Sequence, residues 1–238
     1  PITEKNIATS ELDGKLSGEK IPVVDGDIAD RAIVLAKDGT SAGLYVVDLN
    51  GVGVDRNTVE TVDPTRSQAK IKFSDAPAER LGGNGWDLLE NIQDRAAVLI
   101  AFEQVGGAEV ALDMAKEYAL DRHAFGRPIA SYQAIKHRLA DMYIQIELAR
   151  SNSYYGAWAL SIDAAELSVA AATARVSATE AYNFASKENI QIHGGMGFTW
   201  EFNCHLYYRR SRQLALTLGS QRRWKDRLVR ALERRNAA

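Results

Sequence analysis

The sequence has a single cysteine among its 238 residues, only five prolines, and no excess of basic charge. One cysteine, Cys204, cannot form an internal disulfide or a cysteine-rich zinc module. The formal net charge of -2 provides no overall basic field for a polyanion such as nucleic acid. No uninterrupted apolar run reaches the roughly 18 residues that cross a bilayer, and no signal peptide is recognisable at the N-terminus. We therefore expect a cytoplasmic protein without a membrane span.

The composition is that of an ordinary globular protein, with 46% hydrophobic and 25% charged residues. The length allows one domain of ordinary size and a smaller companion. The sequence begins at Pro1, without a methionine and within a strand-like pattern, so we expect it to be part of a longer protein.

Residues 1–82 alternate apolar and polar side chains in short stretches separated by turn dipeptides. Strand patterns cover 19–24, 31–37, 44–49 and 67–73, and an Asp-Gly or Asn-Gly pair follows each of the first three. This arrangement predicts an antiparallel sheet connected mainly by hairpins. The stretch is small for a closed barrel, so we expect the remainder of a larger β domain.

Residues 83–238 carry apolar side chains three and four positions apart. The spacing predicts helices over 86 to about 123, from Ser131 (as the capping residue) onward, and over 164–188, 202–218 and 220–235. Long helices with short connections pack as an up-down bundle. The predicted fold is α+β and mainly α, with a partial antiparallel β domain over 1–82 and a helical bundle domain over 83–238.

Two segments depart from what a plain bundle needs. Residues 122–129 read Arg-His-Ala-Phe-Gly-Arg-Pro-Ile, and two guanidinium groups at a helix junction suit bidentate phosphate binding. An ordinary loop with surface arginines is the alternative.

Residues 191–198 read Gln-Ile-His-Gly-Gly-Met-Gly-Phe. A helix C-cap needs one glycine, so three glycines indicate either capping or close approach of a ligand to the backbone.

Metal chemistry has no support in the sequence. The four histidines lack the His-Glu-x-x-His spacing, and one cysteine cannot provide a Cys-x-x-Cys pair. We expect no metal site.

Taken in order, these segments resemble the acyl-CoA dehydrogenase family. The strongest similarity covers Tyr118–Ile129 and Ser131–Met142, followed by Gln191–Phe198 and Tyr208–Arg212. Phe73–Gly82 is similar to the end of the family's middle β domain. The resemblance implies the later part of that β domain and the whole C-terminal four-helix bundle, usually in a tetramer.

The resemblance also implies a flavin-dependent reaction of lipid metabolism, the α,β-dehydrogenation of an acyl-CoA thioester. A carboxylate removes the α-proton while a hydride leaves the β-carbon for the flavin. In this family the bundle of one subunit completes the FAD site of its neighbour. By position, the implied FAD-binding residues are Arg122 for the pyrophosphate, with Phe125 and Gln133 beside it; Gln191, His193, Gly194 and Gly195 for the ADP part; and Ser220 after the catalytic segment.

Both positions at which family members carry the catalytic glutamate hold apolar residues, Leu218 and Ala96. Neither can accept a proton, so the catalytic residue is unknown. Glu103, seven residues after Ala96, and Asp94 are the nearby carboxylates. Glu103 is either a packing or hydrogen-bonded residue or a displaced base.

A second departure lies at residues 20–24, Lys-Ile-Pro-Val-Val. Many family members place a tryptophan and a threonine there against the flavin ring. Pro22 and Val24 provide neither an indole for stacking nor a hydroxyl for N5.

The leading interpretation is a catalytically incomplete subunit of an acyl-CoA dehydrogenase, working beside a related, complete subunit. Three alternatives stay open. They are a self-sufficient dehydrogenase with a displaced base, a flavin oxidase or monooxygenase on the same fold, and a helical scaffold without flavin.

Overall fold

The structure, a computed structural model, describes residues 4–39 and 41–237. It divides the chain into two compact units, Pro1–Ile92 and Gln93–Ala238. The boundary falls within the first long helix. The predicted domain boundary after residue 82 lies between the last strand and this helix.

The first unit contains six strands. They are β1 (Thr9–Leu12), β2 (Lys15–Val24), β3 (Arg31–Asp38), β4 (Ser41–Asp48), β5 (Val54–Thr58) and β6 (Gln68–Arg80). The four predicted strand patterns correspond to β2, β3, β4 and β6. The prediction missed β1 and β5, because these short strands are mostly polar and show little apolar alternation.

The sheet closes on itself, so the expectation that this stretch is too small for a barrel is wrong. The strand order is β2-β1-β3-β4-β6-β5, and an additional pairing joins β2 to β6. Strand β6 makes closure possible because it is 13 residues long: Gln68–Pro77 pairs with β2, and Ala78–Arg80 pairs with β4. The enclosed core contains Leu16, Val34, Tyr45, Val47, Ile71 and Phe73.

The remainder of the chain is helical. It comprises α1 (Gly85–Asp121), two short strands β7 (His123–Ala124) and β8 (Arg127–Pro128), α2 (Gln133–Ser161), α3 (Leu167–His193), α4 (Cys204–Leu216) and α5 (Gln221–Ala237). All five predicted helices are present. In the part of the chain that the structure describes, none combines the length and apolarity of a membrane span.

The predicted cap of α2 is wrong. Tyr132 is the N-cap residue and makes no side-chain capping bond. Ser131 ends a short 3-10 turn, and its hydroxyl donates to the Pro128 carbonyl at 2.7 Å. The Ser131 side chain therefore stabilises the connection between β8 and α2, and it does not cap the first turn of α2.

Neighbouring helices of the second unit run antiparallel. Arg150 of α2 pairs with Glu109 of α1 at 3.0 Å, and the Ser186 and Ser211 hydroxyls join α3 to α4 at 2.9 Å. The core is rich in alanine, which lets the helices approach closely. At Gly107 a Cβ would lie 2.5 Å from the Tyr182 ring, so α1 needs a glycine there.

Candidate functional site

The connection between α1 and α2 is a tight hairpin that exposes an aromatic ring. Strand β7 pairs with β8, and the two turn residues, Phe125 and Gly126, have φ values of 52° and 81°. Two positive φ angles define a type I′ turn, which favours asparagine and glycine over phenylalanine. The Phe125 side chain is nevertheless 98% exposed. An unfavourable backbone that holds an aromatic ring in solvent points to a ligand or partner contact.

The two arginines of the hairpin differ in what they contact. The Arg127 guanidinium lies 4.1 Å above the centre of the Tyr132 ring, and the Tyr132 hydroxyl donates to the Ala124 carbonyl at 2.9 Å. The exposed Arg122 guanidinium makes no hydrogen bond or ion pair with any described residue. Arg122 is therefore the cation that remains available for an anionic ligand.

Gln133 begins α2 beside this hairpin and is exposed. The N-terminus of a 29-residue helix favours a negative charge nearby, because the first backbone N–H groups lack partners within the helix.

The end of α3 contains a glycine that the chain's own packing does not explain. Gly194 has a φ of 61°, which favours glycine. Gly195 has no positive φ, and a Cβ built there would meet no atom within 4 Å. Gly197, by contrast, lies against the Ile190 backbone, where a Cβ would approach to 2.7 Å. Open, exposed backbone at Gly194 and Gly195 leaves room for a ligand to lie directly on the main chain.

His193 is buried under this turn, with 4% of its surface exposed. Its ring stacks on Tyr118 at 4.2 Å between centroids, and its Nδ1 is 2.9 Å from the Asn189 carbonyl. Burial lowers the pKa of His193 below its ordinary value. The buried imidazole thus packs beneath the glycine turn, while Gln191, two residues earlier, is exposed.

The Tyr118–His193 contact brings the two segments to the same end of the bundle. Tyr118 lies on the last turn of α1, and its carbonyl accepts a hydrogen bond from the Arg122 amide at 2.8 Å. We call the exposed residues here the hairpin–glycine face: Arg122, Phe125, Gln133, Gln191, Gly194 and Gly195.

A second set of residues surrounds the turn between α4 and α5. Leu218 has a φ of 62°, and its carbonyl accepts from the Trp224 indole at 3.2 Å. The preceding carbonyl, of Thr217, accepts from Arg175 at 2.7 Å. Arg175 is 1% exposed and also donates to the Leu214 carbonyl and to the Gln104 side chain. None of these acceptors is a carboxylate, and burial lowers the pKa of Arg175 to about 10.

Arg175 is a residue that the sequence analysis missed. The available signal was a single arginine on the otherwise apolar, alanine-rich stretch of α3. Its four hydrogen bonds fix the end of α4 and hence the conformation of the Leu218 turn.

Both nearby carboxylates on α1 are ion-paired. Asp94 is buried and forms a two-point pair with Arg227 of α5, at 3.0 Å and 2.9 Å. Glu103 pairs with Arg210 of α4 at 2.8 Å. Each carboxylate joins two helices, which matches a structural role for both.

Comparison with known proteins identifies the family. The family profile described as "Acyl-CoA dehydrogenase, C-terminal domain" matches residues 83–232. The chain belongs to the acyl-CoA dehydrogenase family. Acyl-CoA dehydrogenase IpdE2 of Mycobacterium tuberculosis is 42% identical over 202 residues, which cover 84% of this chain and 56% of that protein.

Two solved structures, each named for a pair of proteins, have the same fold. A variant of the Tcur3481-Tcur3483 steroid ACAD is similar with a TM-score of 0.87 at 28% identity, covering 97% of this chain and 63% of that chain. The ChsE4-ChsE5 complex of Mycobacterium tuberculosis is similar with a TM-score of 0.85 at 27% identity, covering 94% and 62%. The chain therefore spans less than two thirds of the length of each of these proteins.

Apolar packing surrounds the neighbourhood of both expected base positions. Leu218 packs against a buried cluster that contains Ala97, the neighbour of Ala96, and Trp224. Arg223 donates to Gln93 at 2.8 Å, which also joins α5 to this part of α1. Leu218 and Ala97 thus belong to one apolar packing region, and neither expected base position offers a carboxylate.

Ser220 lies apart from the hairpin–glycine face. Its hydroxyl accepts from the Arg223 amide at 3.4 Å, so it caps α5, and neighbouring Gln221 contacts Glu180 on α3. Helix α3 rises about 1.5 Å per residue, so Glu180 is roughly 20 Å from His193 along the helix. The structure does not bring Ser220 together with the other predicted cofactor residues.

In the first unit, the segment expected to face a flavin ring is irregular. The pairing of β2 with β6 shifts register between Lys20 and Val23. The Lys20 ammonium donates to the Leu35 carbonyl at 2.9 Å, and burial lowers the pKa of Lys20. Pro22 is exposed and has no N–H to donate. Residues 20–24 thus offer no aromatic side chain and no hydroxyl to a flavin.

Proposed function

We propose that this chain is a subunit of a flavin-dependent acyl-CoA dehydrogenase and that it contributes to an FAD site in a neighbouring subunit. The hairpin–glycine face carries the proposal, because it presents an unpaired guanidinium and open glycine backbone at the same end of the bundle. Arg122 would bind the pyrophosphate, and Gly194 and Gly195 would let the ADP part lie against the main chain. Gln133 and Gln191 would add amide hydrogen bonds. Phe125 would pack beside the phosphates.

We further propose that the chain lacks a catalytic base of its own. The α-proton of an acyl-CoA thioester is weakly acidic, so its removal needs a carboxylate within about 3 Å in a site shielded from water. FAD, when bound, supplies the hydride acceptor. Leu218 and Ala96 offer no carboxylate, and the arginine pairs of Asp94 and Glu103 support a structural role for both. The base would come from the neighbouring subunit.

The neighbour that best suits this division of roles is a related acyl-CoA dehydrogenase subunit, in a mixed tetramer. Two of the similar structures are named as pairs of gene products, Tcur3481-Tcur3483 and ChsE4-ChsE5. The first of these is a steroid ACAD, which supports a bulky acyl-CoA thioester as the substrate class.

The first test is the activity of the full-length protein expressed alone. We expect little or no reduction of an electron-accepting dye with acyl-CoA substrates, and activity on co-expression with a related dehydrogenase subunit. Robust turnover by the protein alone contradicts the proposal. In that case, loss of turnover in Glu103→Gln or Asp94→Asn would identify a displaced base. Oxygen incorporation would indicate an oxidase or monooxygenase, and the absence of flavin from every preparation would indicate a scaffold.

A further inference from the structure

The adenine ring of the FAD has no partner in the proposed function. Arg122 would bind the pyrophosphate, and the open backbone at Gly194 and Gly195 would accept the ADP part. An adenine ring also offers two flat faces, and proteins commonly stack nucleobases on aromatic side chains. An exposed aromatic ring close to the glycine turn would therefore complete the proposed site.

Trp200 is an exposed ring close to this turn. It follows the 3-10 helix Gly194–Phe198, and 73% of its surface is exposed. A 3-10 helix rises about 2 Å per residue, and two further residues span at most about 7 Å, so the Trp200 backbone lies within roughly 13 Å of Gly195. Because a single ribose joins adenine to the pyrophosphate, a stacking partner has to lie near the backbone that accepts the ADP part.

Contacts on both sides of Trp200 fix its ring. The His205 ring lies 4.3 Å from it in an edge contact, and the Arg209 guanidinium lies 5.3 Å from the centre of the indole. On the preceding residue, the Thr199 hydroxyl donates to the Met196 carbonyl at 2.9 Å. A side chain that is already ordered loses little conformational freedom when a ligand binds, so this ring is prepared for stacking.

Phe202 ties the same loop to the hairpin–glycine face. Its ring makes edge contacts with Tyr118 at 5.8 Å and with His193 at 5.3 Å between centroids. Tyr118 and His193 are the residues that bring the hairpin and the glycine turn to one end of the bundle. The loop that carries Trp200 is therefore held at the end where Arg122 is exposed.

A second aromatic residue on the loop is less suited to stacking. Phe198 is 77% exposed, but it makes no ring contact with a described residue. Its ring would lose more freedom on binding than the Trp200 ring, and a phenyl ring offers a smaller surface than an indole.

We propose that Trp200 stacks on the adenine ring of the FAD that the neighbouring subunit holds. The indole fixes the adenosine end of the cofactor, and Arg122 fixes its pyrophosphate. This inference rests on the proposed function and adds an aromatic contact to that site.

The test compares three ligands on the assembled full-length enzyme after its FAD has been removed. Rebinding of FAD is followed by flavin fluorescence, and ADP and inorganic pyrophosphate are used as competitors. Trp200→Ala should weaken the binding of FAD and of ADP by roughly 5- to 150-fold, because both carry the adenine ring. Inorganic pyrophosphate carries none, so its dissociation constant should not change. Trp200→Phe keeps an aromatic ring and should recover part of the lost affinity.

Two further variants serve as controls. Arg122→Ala should weaken the binding of all three ligands, since each carries a pyrophosphate group. Phe198→Ala also removes an exposed aromatic ring from the loop, and it should have a smaller effect than Trp200→Ala. Circular dichroism checks that every variant folds.

The pattern of losses separates this inference from the proposed function. Normal FAD and ADP binding by Trp200→Ala, with weakened binding by Arg122→Ala, would overturn the stacking and leave the FAD site in place. Equal weakening of all three ligands by Trp200→Ala would assign Trp200 to the support of the loop and would also overturn it, as would a larger loss in Phe198→Ala. Normal binding by both Trp200→Ala and Arg122→Ala would remove the FAD site itself.

Discussion

The two arginines of the α1–α2 hairpin share the same chemistry and differ only in their surroundings. Arg127 stacks on Tyr132 and contributes to the hairpin itself. The exposed Arg122 guanidinium has no hydrogen-bond or ion-pair partner among the described residues. If the hairpin–glycine face binds FAD, the two side chains should therefore respond differently to removal.

Arg122→Ala should weaken FAD retention by the assembled enzyme without changing its fold. A charge-assisted phosphate contact contributes about 1.5–3 kcal/mol, which corresponds to roughly a 10- to 150-fold loss of affinity. Flavin absorbance per protein after gel filtration measures the effect. Arg127→Ala is the matched control, and it should retain more flavin than Arg122→Ala. Equal flavin content in wild type and Arg122→Ala would remove Arg122 from the proposed site.

His193 predicts a pH dependence of stability. Burial lowers its pKa in the folded chain, whereas the unfolded chain titrates near the ordinary value of about 6.5. The unfolded state therefore binds the proton first as pH falls, and stability decreases below about pH 6.5. His193→Phe keeps an aromatic ring against Tyr118 and removes this titration. The free energy of unfolding should fall less steeply between about pH 7 and pH 5 in the variant. If the free energy of unfolding of wild type and His193→Phe fell equally with decreasing pH, His193 would not be the source of the pH dependence. The pKa of His205 is also lowered, so His205 accounts for part of the slope that remains in the variant.

At the scale of single residues, the sequence predicted which residue types form the site but not how their side chains are oriented. The resemblance named the arginine, glutamine and glycine positions of the hairpin–glycine face. It could not show that His193 is turned inward onto Tyr118, since that contact joins side chains from two helices far apart in sequence. Arg175 was missed for the same reason, because its acceptors lie on α1 and after α4.

Among the structural elements, the glycine turn after α3 allows an effect on ligand binding to be separated from an effect on stability. A methyl group at Gly195 would enter open space and needs no unusual backbone angle. Gly195→Ala should therefore leave thermal stability unchanged and reduce flavin content, because the methyl group would occupy the position of the ligand. Gly82→Ala is the control, since Gly82 also has open space and no positive φ. If Gly195→Ala binds flavin normally, no ligand lies against that backbone.

Helices were easier to predict than strands in this chain. All five helices follow from apolar spacing, because each buries one face over many turns. Strands β1 and β5 have too few apolar residues to signal their pairing. Closure of the sheet depends on β6, whose 13 residues pair with β2 and then with β4. Contacts between residues far apart in sequence decide which strands β6 pairs with. A local apolar–polar pattern does not predict such contacts.

At the scale of the whole molecule, the proposed function separates cofactor contact from catalysis: the helical unit would keep the first and lack the second. In that proposal, the exposed groups of the hairpin–glycine face would contact a cofactor held by a neighbour. The turn that carries Leu218 is fixed by Arg175 and Trp224, and the Asp94–Arg227 pair ties α5 to the part of α1 that carries Ala96. A residue that binds FAD only across an interface has no use in an isolated subunit. The central claim is therefore that this chain completes the cofactor site of a different subunit.

The most direct test is the ratio of flavin to protein in the purified full-length complex. The gene is co-expressed with a related acyl-CoA dehydrogenase subunit, and flavin absorbance is compared with the amount of each chain. The proposal predicts about one FAD per pair of unlike chains, with turnover only in the mixed assembly. One FAD per chain in a homo-oligomer of this protein, together with acyl-CoA turnover, would contradict it.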